Sequence, residues 1–274
     1  MVEMSAEMSG DKAGSRSRQD ARDIQIRHCH SLVEFAEGER IERQIWGEDI
    51  TVPTPIFVVA DHTGGQVLGA YDGDKMVGMT LALAGIRGSS RFLHSHMTAV
   101  LPEYQNHGVG RRLKLFQRQD ALKRGIGLVE WTFDPLELKN AHFNFSRLGA
   151  VARRYIPDCY GVTESPLHAG LPTDRLVAEW WIDSIRVKEI LAGNLPPANP
   201  GAQRISIAAN ISELKRIDRA TGARVQALTR DNFLKWFGKE YVATGIENRG
   251  DTTDYLLEPR DSVAGLHLPE LSPE

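Results

Sequence analysis

The stretch Phe92–Arg112, FLHSHMTAVLPEYQNHGVGRR, decides the fold. Its first half alternates. His94, His96, Thr98 and Val100 are expected on one face of a strand, and Leu93, Ser95, Met97 and Ala99 on the other. Pro102 has no N–H to offer a ladder, so the strand is expected to end about there. Gln105-Asn106-His107-Gly108-Val109-Gly110 follows as a loop, and Arg111-Arg112 begin a helix. Two glycines permit backbone angles that turn successive N–H groups to one side. The first N–H groups of a helix also lack intrahelical acceptors. Together they form a concave row of donors at the positive end of a helix, which suits a pyrophosphate.

A lone Gly-x-Gly fits a plain strand-to-helix turn as well. A dinucleotide fingerprint needs a third glycine, where this chain has Leu113, and a P-loop needs Gly-Lys-Ser/Thr. The whole string Gln105-x-x-Gly108-x-Gly110 after a strand resembles the acyl-CoA-binding motif of the GNAT acetyltransferase superfamily. The resemblance covers about residues 22–161, with an outer limit near 183. It implies an α/β fold with a mixed, mostly antiparallel twisted sheet flanked by helices, and here a C-terminal α+β extension. It also implies acetyl-CoA or another acyl-CoA such as succinyl-CoA as co-substrate, with no metal. In that scheme the pantetheine arm lies along Thr98, Ala99 and Val100, and an N–H there, that of Val100, polarises the thioester. The diphosphate sits on Gln105, Asn106, His107, Gly108, Val109, Gly110, Arg111 and Arg112. Asn140 is the family-type asparagine near the cofactor, with Asn144 one turn on.

The family often places a glutamate base eleven residues before the motif glutamine, where this chain has His94. Neutral imidazole can take a proton near pH 7, and His96 follows on the same expected face. Glu130 on the next strand is the alternative base. Many members carry a tyrosine four residues before the glycine that ends the following helix, and it protonates the departing thiolate. Phe145 stands there and has no proton to give, so Tyr155 and Tyr160 become the candidates. His94 and His96 lack a third ligand at metal-binding spacing. Nothing beside Cys159 marks it as an activated nucleophile.

The flanking sequence fits this frame. Ile24 and Ile26 alternate in a first strand. Ser31 and Glu34 make a capping box for a helix running to Trp46, and Pro53 and Pro55 form a stiff lead-in to Phe57-Val58-Val59-Ala60. Asp72-Gly73-Asp74 joins strands 66–71 and 75–86 as a hairpin. The helix after Gly110 runs to Arg124-Gly125, with Arg111 and Arg112 read as ligand-facing and Lys114, Arg118, Lys123 and Arg124 as a solvated face. A strand at 127–133 precedes Asp134-Pro135-Leu136-Glu137, read as N-cap, N1 and N3 of a helix that Gly149 stops. Strand 151–157 follows, then a connector at 165–173, and LVAEWWI (176–182) as a strand closing the first sheet. Beyond lie a short helix at 187–191, a proline linker at 194–201, a strand at 204–208, helices at 212–221 and 229–237, and a final strand pair at 241–246 and 254–258.

Composition excludes several classes. The 274 residues carry a net charge of −3, which gives no case for nucleic acid, and two cysteines give no disulfide framework. No apolar run approaches membrane-spanning length. The expected organisation is a disordered tail at 1–20, an acyl-CoA-binding domain at 21–183 and an α+β extension at 184–274. The expected function is acyl-CoA-dependent N-acyl transfer to a small-molecule amine or amino acid, in the cytoplasm, without nucleic-acid or membrane partners and with a homodimer allowed. A non-catalytic acyl-CoA sensor and a protein lysine or N-terminal acetyltransferase are the competing readings.

Overall fold

Among the described residues ten strands form one sheet, in the order β1-β2-β3-β4-β5-β7-β6-β9-β10-β8. The computed structural model describes residues 23–48, 51–161, 170–196 and 199–269. The tail expected at 1–20 and most of the connector at 165–173 lie outside the described residues.

The chain enters through β1 (Gln25–His28), then α1 (Leu32–Trp46), whose Ser31–Glu34 capping box has both halves formed. Helix α2 (Thr54–His62) follows. The prolines do more than stiffen this segment: Pro53 is the N-cap and Pro55 lies in the first turn, where a missing N–H costs no hydrogen bond. Strands β2 (Gln66–Asp72), β3 (Lys75–Arg87) and β4 (Ser90–Val100) then pair antiparallel in sequence. Helix α3 (Val109–Lys123) crosses over to β5 (Leu128–Phe133), which runs parallel to β4.

Asp134 does not cap a helix. Its carboxylate accepts from the Leu136 amide at 2.8 Å and closes a turn. Helix α4 (Leu138–His142) begins later and widens into a π-helical segment, Phe143–Leu148, which ends at Gly149 in the left-handed region (φ 79). β6 (Val151–Ile156) and β7 (Arg175–Trp181) follow. LVAEWWI does not close the sheet. β7 inserts between β5 and β6, consistent with its unbroken burial from Arg175 to Trp180, and the sheet continues past β6.

The C-terminal region supplies α5 (Ile185–Ala192), β8 (Gln203–Ala208), α6 (Ile211–Ile217), α7 (Arg219–Phe237), β9 (Tyr241–Asn248) and β10 (Thr252–Pro259). Thr229 caps nothing; it is buried in the middle of α7, and Asp218 caps that helix by accepting from Thr221 N–H at 3.0 Å. β9 joins the sheet at Ala152↔Ala243. The extension also shares a core with the preceding part. Phe145 meets Phe133 and Tyr255 edge-on at 6.0 and 5.9 Å, and Phe233 of α7 contacts both Tyr255 and Tyr155. Each such ring contributes about 1.5–3 kcal/mol when fully buried, so this cluster is a main tie between extension and sheet. A second core under α1 and α2 holds Phe35, Ile41, Phe57, Leu68, Met79 and Leu81. Among the described residues no helix is long and apolar enough to cross a membrane.

Candidate active site

The parallel pairing of β4 and β5 is short: Leu93↔Val129 and His94↔Glu130. Beyond that pair the two strands part, and the β4 edge is open. The opening coincides with a bulge. Ser95 faces Ala82 and Met97 faces Leu81, so His96 has no partner on β3. The extra residue inverts the alternation expected from sequence. His94 falls on the face of Leu83, Leu81 and Met97, whereas Thr98 shares a face with Thr80 and Ser95. His94 therefore does not share a face with Thr98 and Val100. The His94 and His96 rings still lie 6.2 Å apart, centroid to centroid.

Leu101 N–H donates to Val77 C=O at 2.9 Å. In an antiparallel ladder the bonded pairs alternate. Ala99 accordingly spends its backbone on β3, while Thr98 and Val100 turn theirs toward the open edge. The Val100 carbonyl accepts from Gln105 Nε2 at 2.9 Å, which leaves the Val100 N–H facing the notch. Of the three residues expected along a ligand arm, Thr98 and Val100 have the right backbone orientation and Ala99 does not.

The loop after β4 turns through Asn106 (φ 62) and Gly108 (φ 82), and Gly108 is the N-cap of α3. Gln105, Asn106, His107 and Gly108 are exposed, whereas Val109 is buried and anchors the turn. A Cβ at Gly110 would meet only Val100 Cγ2, at 3.8 Å. Protein packing thus gives no reason for glycine at 110. Arg111 is half-buried in the same first turn. Arg112 reaches the Ile24 carbonyl and is tethered to the β1 end of the sheet.

Around His94 lies a charged network. His94 Nδ1 is 3.9 Å from Glu130 Oε1, beyond hydrogen-bond length but within Coulombic reach. Arg87 grips the Glu130 carboxylate with both terminal nitrogens at 3.0 and 3.1 Å, and Arg154 reaches it at 2.5 Å. Burial alone would raise the Glu130 pKa; the contacts with His94, Arg87 and Arg154 outweigh it and hold the pKa down at about 2. Glu130 is therefore a fixed anion and a poor proton acceptor, contrary to its expected role as alternative base. It can stabilise an imidazolium at His94. His96 is exposed at its edge, yet the protein crowding around it, and then the His94 charge, lower its pKa and keep it neutral near pH 7.

The tyrosine candidates separate. Tyr155 is buried, its hydroxyl donates to Asp174 at 2.7 Å, and burial pushes its pKa far up. It faces the C-terminal core and is not placed to serve a thiolate. Tyr160 is half exposed, with its hydroxyl 2.7 Å from Thr132 Oγ1 on the β5 side of the notch. Phe145 is locked in the aromatic core. Asn140 is exposed on α4, whereas Asn144 is buried with its Nδ2 unpartnered. Burial raises the Cys159 pKa, which keeps that thiol protonated. Among the described residues no group of three or more His, Cys, Asp or Glu side chains is placed to hold a metal.

Sequence reasoning missed Lys114. It is buried, not solvated. Its Nζ donates to Ser95 Oγ at 2.8 Å and Gln117 Oε1 at 3.0 Å, and lies 3.9 Å from the centre of the Trp131 ring. Burial lowers its pKa to about 7. The signal was present: the buried residues of α3 run Val109, Leu113, Lys114, Gln117, Ala121, one helical stripe that includes both polar residues.

Residues 27–149 match the acetyltransferase (GNAT) family model. The remainder, including the C-terminal extension, lies outside the match. None of the curated proteins matches this chain. Among solved structures, yncA from Salmonella typhimurium with its cofactor acetyl-CoA is similar at 19% identity and a TM-score of 0.49, over 59% of this chain and 95% of that one. Arabidopsis thaliana NAA60 in complex with acetyl-CoA is similar at 12% identity and a TM-score of 0.48, over 58% and 99%. An aminoglycoside acetyltransferase from an uncultured soil metagenomic sample, in complex with sisomicin, is similar at 16% identity and a TM-score of 0.41, over 44% and 85%.

Proposed function

We propose that the chain is an acyl-CoA-dependent N-acyltransferase that moves an acetyl or succinyl group to the amine of a small molecule or amino acid. The observation that carries this reading is the parting of β4 from β5 immediately after His94↔Glu130, on a strand that runs into the glycine turn of α3. The turn grips the diphosphate of the donor. The open β4 edge takes the pantetheine arm, and the thioester arrives beside the bulge.

The residues then divide the work. The backbone of Thr98 and Val100 holds the pantetheine arm, and the main chain at the bulge, next to His94, polarises the thioester carbonyl as its oxygen gains charge. His94 takes the proton from the attacking amine, and the Glu130 anion at 3.9 Å stabilises the imidazolium that forms. The new C–N bond forms as the C–S bond breaks, and the sulfur leaves with a proton from Tyr160, whose hydroxyl Thr132 orients. Asn140 lies on the α4 side of the donor.

Release of CoA thiol from acetyl- and succinyl-CoA over a panel of amines tests the proposal. Turnover is expected, with His94→Ala lowering kcat about 100-fold and leaving donor affinity intact. Failure of both donors to bind sinks the reading. The non-catalytic sensor is favoured by one observation, the burial of Phe145 where a proton donor is expected, and it predicts tight donor binding with no turnover on any amine.

A further inference from the structure

We infer that the acceptor carries an anionic group, a carboxylate first of all, held by a guanidinium-lined cavity beside His94. This rests on the acyl-transfer reading above and specifies its acceptor. The cavity, of about 690 Å³, opens between the β3–β4 turn, the start of β5 and the β6–β7 pair. Its walls include Arg87, Arg91, Arg153 and Arg154, together with Glu179 and Trp181.

Among the described residues, the lining carries more guanidiniums than carboxylates. Glu179 engages Arg153 at 3.1 Å and Arg154 at 3.3 Å, and Glu130 engages Arg87 and Arg154. Among the described residues, these four guanidiniums have two carboxylates between them. Arg91 is exposed and meets no carboxylate among the described residues. The guanidinium fork matches a planar carboxylate in two parallel bonds, the geometry Arg87 already adopts on Glu130. Trp181 and Phe92 give the same cavity apolar surface for the rest of a small molecule.

Position supports an acceptor over the donor's phosphates. The cavity lies at the Ser90 end of β4 and the glycine turn lies beyond the Val100 end, roughly 30 Å apart at strand rise. Glu130 connects the cavity wall to His94, since Arg87 and Arg154 line the cavity and both bind that carboxylate. An amine with its anion on the arginines can thus present nitrogen to His94. A polycation would bring positive charge to a positive wall.

The test uses the full chain with acetyl-CoA and compares α-amino acids with their α-carboxamides, aminoalkyl phosphates and polyamines. The acids are expected to have at least tenfold higher kcat/KM than the carboxamides. Arg91→Glu is expected to erase that preference while acetyl-CoA affinity, measured by calorimetry, stays within twofold. Preference for aminoalkyl phosphates over the acids supports the anion site and assigns it phosphate. Thermal shifts with the same acids and amides read binding independently of turnover, with a larger rise expected for the acids. Equal kcat/KM and equal shifts for acid and amide, or a preference for polyamines, overturn the inference. Loss of acetyl-CoA binding overturns the acyltransferase reading itself, whereas donor binding with indifference to acceptor charge overturns this inference alone.

Discussion

Lys114 on α3 and Ser95 on β4 are joined by a 2.8 Å hydrogen bond, one residue before the bulge at His96. A buried ammonium ties the crossover helix to the point where the sheet opens. Its pKa is lowered to about 7 by burial, against about 10.4 for an unfolded lysine. Between these values the unfolded chain binds more protons than the folded one, so stability rises with pH across that window. The slope at its steepest is about 1.4 kcal/mol per pH unit. Lys114→Met is expected to abolish this contribution. Urea unfolding at pH 7 and pH 9 checks it: the gain in wild-type stability on raising pH should exceed that of the variant.

Glu130 gives the opposite sign. Its folded pKa of about 2 lies below the unfolded value near 4.3. The stability it contributes is fully present above the unfolded pKa and is lost as pH falls through the folded one. Glu130→Gln leaves Arg87 and Arg154 without their shared anion. Breaking a fully buried pair costs 3–5 kcal/mol; with Arg87 one-third exposed, a loss of about 2 kcal/mol at pH 7 is expected. The wild-type advantage should shrink between pH 4 and pH 2. An advantage independent of pH would show that the carboxylate charge is not what matters.

These two residues also mark where sequence reading worked and where it stopped. The glycine turn and the Ser31 capping box depend on a few consecutive residues, and local chemistry was enough to read them; the open edge of the fourth strand followed only from the family resemblance. The inverted face of His94 depends on one unpaired residue, and alternation carries no sign of a bulge. The turn at Asp134 and the π-helical segment after His142 both meet Tyr255, whose hydroxyl donates to the Pro135 carbonyl and whose ring contacts Phe145, across 110 positions or more. The inserted position of β7 likewise comes from pairing partners distant in sequence. Arg87 and Arg91 flank one hairpin turn while Arg154 comes from β6, some sixty residues on, so the convergence of the two segments on one cavity was invisible in linear order.

Gly110 separates ligand contact from folding. A Cβ there would meet only Val100 at 3.8 Å, an ordinary contact. Gly110→Ala is therefore expected to fold with unchanged Tm and to bind CoA at least tenfold more weakly. Gly108 is different: at φ 82 an alanine is strained by roughly 1 kcal/mol or more, so Gly108→Ala should lower both Tm and affinity. Calorimetric CoA titration with thermal unfolding of each variant distinguishes them. Wild-type CoA affinity in Gly110→Ala would place the diphosphate elsewhere.

Tyr160 and Tyr155 were indistinguishable in sequence and are opposite in the fold. Tyr160 presents a half-exposed hydroxyl bonded to Thr132 on the β5 side of the notch, while Tyr155 is spent on Asp174, itself gripped by Arg230 at 2.8 Å. In the proposed mechanism Tyr160 protonates the departing sulfur, so Tyr160→Phe should lower kcat 10- to 100-fold with donor affinity intact. Thr132→Val should follow in the same direction, less steeply, because it only orients the hydroxyl. Tyr155→Phe removes one of several donors to Asp174 and should cost about 1 kcal/mol of stability with kcat unchanged. Steady-state kinetics and urea unfolding on the three variants decide the assignment. If Tyr155→Phe loses turnover while Tyr160→Phe keeps it, the thiolate lies toward the C-terminal core, and the notch between β4 and β5 is not where the acyl group is transferred.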